Sequence, residues 1–399
     1  MAGIANIIGL WEALASADLA VNQHRCVVVR NRHAQCRRCA EACTTGCIAV
    51  EAGQLQVDRS KCIGCGTCAT VCPAGALEPQ LPNDGELLAS CLKAADKAGG
   101  VAVIACDRAC RQSGTSVDGG RVVGLTCLGR IEEDLLLALA DADVRTVRLV
   151  CADCDECPLA CGAAVSDEVI ATATALLEAW GIQSDIQRVA DLPAEAFCPD
   201  QDSYDPSRRR ALSMLKQDLK ATACVAASAA LDDALGGESP SKDSGAADVV
   251  MVTEDGTLPH FVPGRRQRML DRLRRWQRPA NTLVETRLWG NVIVDAHRCQ
   301  SCRMCAVFCP TGSLARAEKD HDGFFGLKHR PAICVRCGTC ESVCPEGALI
   351  VAPEVFTDDV IDDFVEPIEL REPAYERVGP HSALHAMRNV LGNERVYDR

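Results

Sequence analysis

Twenty-seven of the 399 residues are cysteine, and their spacing carries the chemistry. Nine lie between Cys26 and Cys72, seven between Cys106 and Cys161, and eight between Cys299 and Cys344, while Cys91, Cys198 and Cys224 stand alone. Three runs share the pattern C-x2-C-x2-C-x3-C-P: Cys62, Cys65, Cys68, Cys72 before Pro73; Cys299, Cys302, Cys305, Cys309 before Pro310; and Cys334, Cys337, Cys340, Cys344 before Pro345. A fourth run, Cys36, Cys39, Cys43 and Cys47, has one extra residue in its loop and ends on Ile48 instead of proline. Its place 14 residues before the Cys62 run marks it as a cluster site as well. Soft thiolate sulfur suits iron, and two-residue spacings let a tight loop wrap three corners of a 4Fe–4S cube. Paired C-x-x-C also binds zinc, but four cysteines at 2-2-3 spacing closed by proline are not a zinc pattern.

The runs are internal repeats. "KCIGCGTCATVCPAGAL" near residue 61 returns as "ICVRCGTCESVCPEGAL" near 333 and as "RCQSCRMCAVFCPTGSL" near 298. Over about residues 24–80 and 291–352 the chain resembles bacterial dicluster ferredoxins. That resemblance implies four 4Fe–4S clusters, with the fourth cysteine of each run serving the neighbouring cluster. Carried over, Cys36, Cys39, Cys43 and Cys72 hold the first cluster and Cys62, Cys65, Cys68 and Cys47 the second. At the far end Cys299, Cys302, Cys305 and Cys344 hold one, and Cys334, Cys337, Cys340 and Cys309 the other. Cys26 lies outside the pattern and reads as a small buried hydrophobe, with replacement of a ligand in the first set as the alternative. Around the first set stand His24, Arg25, Arg30, Arg32, His33, Arg37 and Arg38. They would raise a cluster's potential, dock a partner or form a solvated face.

The central cysteines come in the order "ACDRAC", "TCLGR", "VCADCDECPLACG". This order, over about residues 100–165, resembles the iron–sulfur delta subunit of methyl-viologen-reducing hydrogenases. That family binds a 2Fe–2S cluster and passes electrons between a hydrogenase and a heterodisulfide reductase. Ligands of open parallel sheets gather outside the carboxyl ends of the strands, where Cys106, Cys127 and Cys151 each close an expected strand. Cys157, with Cys154 as second choice, is expected to supply the fourth ligand. Cys151, Cys154, Cys157 and Cys161 repeat the 2-2-3 spacing, so one further cluster, 2Fe–2S or 4Fe–4S, is expected here. Arg130 would sit near it or cap the helix that follows.

The elements that must position these ligands divide the chain. β-branched runs at Val101–Cys106, Val122–Cys127, Val144–Cys151 and Ile182–Val189 alternate with helical patterns at Ile131–Ala142 and Ala160–Trp180. This predicts an α/β central domain with a parallel sheet, flanked by two α+β dicluster ferredoxin-like modules. The divisions read as 1–85 for the N-terminal module, 86–198 for the α/β iron–sulfur domain, 199–285 for a helical and basic linker region, 286–352 for the C-terminal module and 353–399 for an acidic extended tail. An amphipathic face at Ile4–Leu14 is expected to pack on its own domain or lie on a partner. Pro206–Leu235 reads as helix and residues 236–248 as linker. The helix candidate Arg265–Arg278, with seven Arg and one Asp, reads as a docking surface or a solvated face.

Composition narrows the function. The net charge is −13. Residues 86–200 carry 9 positive and 19 negative side chains, a net of −10, and residues 351–399 carry 5 and 11, a net of −6. An acidic middle argues against nucleic acid; it suits docking to basic proteins or plain solubility. The first charged residue is Glu12, so no basic leader is evident, and no run of 18 apolar residues appears. A cytoplasmic, anaerobic setting is therefore expected. No P-loop, dinucleotide fingerprint, H-E-x-x-H or G-x-S-x-G stands in the sequence. The expectation is an electron-transfer subunit of a hetero-oligomeric oxidoreductase complex without catalytic residues of its own. From the families resembled, its partners would be a formate dehydrogenase, a hydrogenase or a related molybdenum enzyme. The rival is a heterodisulfide-reductase-like protein whose central cluster acts on a disulfide.

Overall fold

The computed structural model describes residues 19–51, 53–113, 117–197, 259–317 and 324–371. The expectations for Ile4–Leu14, Pro206–Leu235, 236–248 and the tail from 372 onward, with Cys198 and Cys224, lie outside these residues.

Short strands and single-turn helices build the N-terminal end: β1 (Leu19–Val21), α1 (Val27–Arg30), α2 (Arg38–Glu41), β2 (Ile48–Glu51), β3 (Gln54–Val57), α3 (Thr67–Val71) and β4 (Leu77–Pro79). β2 and β3 pair antiparallel with Ile48 opposite Val57, and β1 pairs antiparallel with β4, Leu19 opposite Pro79. Alternation turns Leu19, Ile48, Leu55 and Leu77 inward onto Cys39, Cys47 and Cys68. A core this small contributes only about 3–5 kcal/mol unaided, so what the cysteines bind matters to the fold.

The central domain opens with α4 (Asp84–Lys97). Its first turn is closed by a capping box: Asn83 Oδ1 accepts from the Glu86 amide at 2.9 Å and the Glu86 carboxylate accepts from the Asn83 amide. Then follow β5 (Val101–Cys106), α5 (Asp107–Gln112), β6 (Val122–Leu125), α6 (Glu133–Asp141), β7 (Thr146–Val150), α7 (Cys161–Ala179) and β8 (Asp185–Val189). The sheet order is β6–β5–β7–β8 and every pairing is parallel. β5 is apolar throughout because both faces are covered. Ile104 packs with Leu136, Leu139 and Val169 on one side, and Val103 and Ala105 pack with Cys110 and Val117 on the other. Cys91 and Cys110 are core side chains, 1% exposed each.

The basic helix forms as α8 (Gly264–Arg275), and its reading as a docking or solvated surface is corrected. Met269, Leu270 and Leu273 are buried against Leu137 of α6, Leu176 and Leu177 of α7 and Trp289. Each such side chain contributes about 1.5–3 kcal/mol on full burial. Four of its arginines pair with carboxylates of the central domain. Arg268 Nε lies 2.6 Å from Asp134, Arg272 Nη1 2.7 Å from Asp134, Arg275 Nη2 3.0 Å from Asp141 and Arg265 Nε 3.3 Å from Asp84. Part of the negative surplus of residues 86–200 is thus answered within the chain.

The C-terminal end has β9 (Leu283–Glu285), β10 (Asn291–Val294), α9 (Met304–Val307), β11 (Leu314–Ala317), β12 (Gly326–His329), α10 (Thr339–Val343) and β13 (Leu349–Ala352). β10 pairs antiparallel with β13 and β11 with β12. This is the pairing of the N-terminal end: the outermost strands pair with each other and the inner two pair with each other. Residues 353–371, expected to begin an extended tail, instead form β14 (Glu354–Phe356), α11 (Thr357–Ile361) and β15 (Glu366–Glu369). β14 pairs with β9 and β15 with β12, and Val355, Val360 and Leu370 are buried. Ferredoxin-like domains therefore stand at both ends of a central four-stranded parallel sheet.

Candidate metal centres

The cysteines of the C-terminal end surround two cavities. Cys299, Cys302, Cys305 and Cys344 line one, under Met304, Leu327 and Leu349. Cys309, Cys334, Cys337 and Cys340 line the other, with Val292, Leu314 and Val351. In each, three thiols come from one run and the fourth from the other. A third cavity, at the N-terminal end, is lined by Cys36, Cys39 and Cys72 together with Cys26, among Val50, Leu55 and Ala76. Cys43, expected in this set from the resemblance to dicluster ferredoxins, is not in its lining. It lies beside Cys47, Sγ to Sγ 3.4 Å. Cys68 is buried, and the charges of Cys65, Cys62, Cys39 and Cys43 raise its pKa beyond what burial does.

These sites fit iron–sulfur clusters on two grounds. First, four thiols ring each of three cavities, which suits a polynuclear iron–sulfur core. Second, the thiols are costly to ionise unaided. Burial and then the charges of Cys72, Cys26 and Cys36 push Cys39 up to about 12. Burial and Cys302 do the same to Cys305, and burial and Cys309 to Cys337. A cationic iron core would hold such groups as thiolates. Backbone amides already point at the sulfurs: Ala76 N at 3.3 Å from Cys72 Sγ, Ala348 N at 3.3 Å from Cys344 Sγ and Leu314 N at 3.4 Å from Cys309 Sγ. Hydrogen bonds to cluster sulfurs tune reduction potential.

The central cysteines gather at one edge. Cys106 ends β5, Cys151 follows β7 directly and Cys127 stands two residues past β6; because the strands are parallel, all three leave the sheet at the same side. Burial pushes the Cys127 thiol up to about 12, and Cys65, Cys106 and Cys157 add to it. Cys154 is likewise held at about 12 by burial and by Cys151, with a smaller contribution from Cys106. Cys161 departs from this group. It begins α7 and its thiol donates to the Ala42 carbonyl at 2.9 Å, close to Cys65 and Cys43. Arg130 does not cap α6, whose N-cap is Glu132; it ends the 3-10 turn that follows Cys127. It is buried, pairs with Asp84 at 2.7 Å and lays its methylenes over Gly66.

Contacts join the sites. Cys36 and Cys72 share an apolar cluster with Val27, Ala34, Ala74, Phe261 and Cys337 of the far end. Arg38 Nη2 donates to the Arg336 carbonyl at 2.9 Å, and Arg30 donates to the Pro259 carbonyl at 2.7 Å with its guanidinium over Phe261. Charge on Cys309 and Cys337 reaches Arg30. At the other side Gly66 and Thr67, between Cys65 and Cys68, pack on Arg130 and Gly129 of the Cys127 loop.

Comparison with known proteins agrees with this geometry. Residues 55–78 match the 4Fe-4S binding domain family and residues 298–348 the 4Fe-4S dicluster domain family. No curated protein matches the chain. The chain therefore carries iron–sulfur domains of the ferredoxin type toward both ends, and such domains serve electron transfer. Among the described residues no helix is long and apolar enough to cross a membrane.

Proposed function

We propose that the chain conducts electrons one at a time through four 4Fe–4S clusters and one central cluster set in series, within a cytoplasmic redox complex. The single observation that carries this reading is the chain of contacts between the sites. From the Cys299 cavity the order runs to the Cys334 cavity, across Cys337 to the Cys72 cavity, on to the Cys62–Cys65–Cys68 site and, through Cys65 and Cys127, to the centre. Each cluster, when bound, takes up and releases one electron. The protein's own residues place the clusters, bury them among aliphatic side chains and set their potentials. Arg30 and Arg38, beside the junction of the two ends, favour the more negative reduced state there.

Cys106, Cys127, Cys151 and Cys157 hold the central cluster in this reading: the first three leave the parallel sheet at one side, and Cys157 stands in the loop that follows Cys151. The partners are the donor and acceptor subunits of a formate dehydrogenase, a hydrogenase or a related molybdenum enzyme. Anaerobically purified protein should contain about sixteen irons in the terminal domains by ligand count, plus those of the centre. Reductive titration followed by electron paramagnetic resonance should show magnetically interacting clusters. Stoichiometric zinc without charge-transfer absorption would end this reading, and isolated, non-interacting signals would end the series order.

A further inference from the structure

We infer that Cys26 is the first ligand of the first cluster, completing a set with Cys36, Cys39 and Cys72, and that Cys43, with Cys47 left out, is the fourth ligand of the second. This assignment rests on the iron–sulfur reading above.

Four independent registers point to it. The first is the distance from the preceding strand. β3 ends at Val57, β10 at Val294 and β12 at His329, and Cys62, Cys299 and Cys334 each stand five residues later. β1 ends at Val21, and five residues later stands Cys26. The second is backbone conformation. Cys26 follows a 3-10 turn and has φ −67°, ψ 121°; Cys334 also follows a 3-10 turn and has φ −67°, ψ 123°.

The third register is the loop after the last cysteine. Gly75, Gly312 and Gly347, three residues past Cys72, Cys309 and Cys344, have φ of 58°, 70° and 55°, and Gly46, three past Cys43, has φ 62°. Strands begin five residues past each of the four, at Ile48, Leu77, Leu314 and Leu349. Cys43 is therefore the counterpart of Cys72, Cys309 and Cys344. Cys47 is the counterpart of Ala76, Ser313 and Ala348, which are not thiols. The fourth register is the cavity itself. Cys26, Cys36, Cys39 and Cys72 line it in the way that Cys299, Cys302, Cys305 and Cys344 line theirs.

The departure from the common spacing is a seven-residue insertion: nine residues, 27–35, stand where the other runs have two between their first and second cysteines. The insertion folds as α1 and a turn, burying Val27 and Ala34. It places Cys26 back where the shorter loops place theirs. His33 holds the sequence position three before Cys36 that Cys62, Cys299 and Cys334 hold before their partners, but it is exposed and absent from the cavity lining.

The test uses full-length protein purified anaerobically, with iron content and paramagnetic resonance as readouts. Cys26→Ser should lose about four of the roughly sixteen terminal-domain irons, with the signal of the Cys36–Cys39 cluster. Cys43→Ser should lose the signal of the Cys62–Cys65–Cys68 cluster. Cys47→Ala and His33→Ala should keep the full iron content and spectrum. Full iron in Cys26→Ser, or cluster loss in Cys47→Ala, overturns the assignment. The Cys47→Ala arm decides even if Cys26→Ser does not fold, because alanine is already the residue at the two counterpart positions 76 and 348. Wild-type protein without iron would instead refute the broader reading.

Discussion

Gly129 lies against Thr67 so closely that a Cβ on Gly129 would stand 2.3 Å from the Thr67 hydroxyl oxygen and 2.9 Å from the Gly162 Cα. The loop after Cys127 and the loop between Cys65 and Cys68 thus meet through a residue without a side chain. With the Cys161 bond to the Ala42 carbonyl and the Arg130 contact with Gly66, this contact joins the central domain to the N-terminal iron–sulfur domain. Gly129→Ala must separate the loops or distort them, at a cost of about 1–3 kcal/mol. The expected result is a lower apparent melting temperature, unchanged iron and a weaker magnetic interaction between the central cluster and its neighbour. An unaltered interaction would show that the contact does not set their separation.

Crossed ligation gives a second expectation. Cys72 belongs in sequence to the Cys62 run but lines the cavity of Cys36 and Cys39. Cys72→Ser should therefore remove the signal of the Cys36–Cys39 cluster and spare that of the Cys62–Cys65–Cys68 cluster. Spectra of the variant, compared with those of Cys62→Ser, decide the point; loss of only the Cys62 cluster in both would contradict crossing.

Asp134 ties α8 to α6. It is 8% exposed at the side chain and accepts from Arg272, itself 10% exposed, and from the half-exposed Arg268. Asp134→Ala leaves the Arg272 charge buried with Asp141 as its remaining partner. Breaking one side of a buried pair costs about 3–5 kcal/mol, less here because Arg272 keeps Asp141 and Arg268 is solvent-screened. Thermal unfolding should shift down by several degrees in Asp134→Ala, and the joint change Asp134→Leu with Arg272→Met should recover part of that loss. No recovery in the joint variant would mean that packing, not the stranded charge, causes the drop.

His329 supplies a pH dependence. Its ring is fully buried, neither nitrogen has a hydrogen-bond partner, and burial lowers its pKa to about 4. The nearest carboxylate, Glu366 Oε2, is 3.8 Å from Nδ1, and burial holds that carboxyl above its ordinary range. Unfolded, the imidazole titrates near 6.5. Between these values the unfolded chain binds a proton that the folded chain refuses. Its contribution is therefore complete above about pH 6.5 and declines as pH falls toward 4, by at most about 3 kcal/mol. His329→Leu should flatten the fall in apparent melting temperature between pH 7.5 and 5.5. An equal fall in both proteins would assign the acid sensitivity elsewhere.

The iron–sulfur character was legible in the amino-acid sequence because it is a local property. A 2-2-3 run of cysteines closed by proline fits around one cluster whatever the rest of the chain does, and the repeats made three runs plain. The parallel sheet was legible for a similar reason: β5 and β7 are short, largely apolar runs, β8 is a weaker one with only Ile186 and Val189 apolar, helices separate them, and their ends fell within three residues of expectation. What depended on distance along the chain was not. Cys26 escaped the spacing rule because nine residues separate it from Cys36; the end of β1, the turn before it and the cavity it lines show where it stands. The arginines of α8 looked like a solvated face because Asp84, Asp134 and Asp141 lie more than a hundred residues away in sequence. Nothing in either iron–sulfur domain alone announced that Cys337 and Cys72 would pack against one apolar cluster of Val27, Ala34 and Ala74, or that Gly129 would pack on Thr67. Ligand spacing is set by a few adjacent bonds, whereas the order of the sites is set by which surfaces bury one another, and that only the folded chain decides.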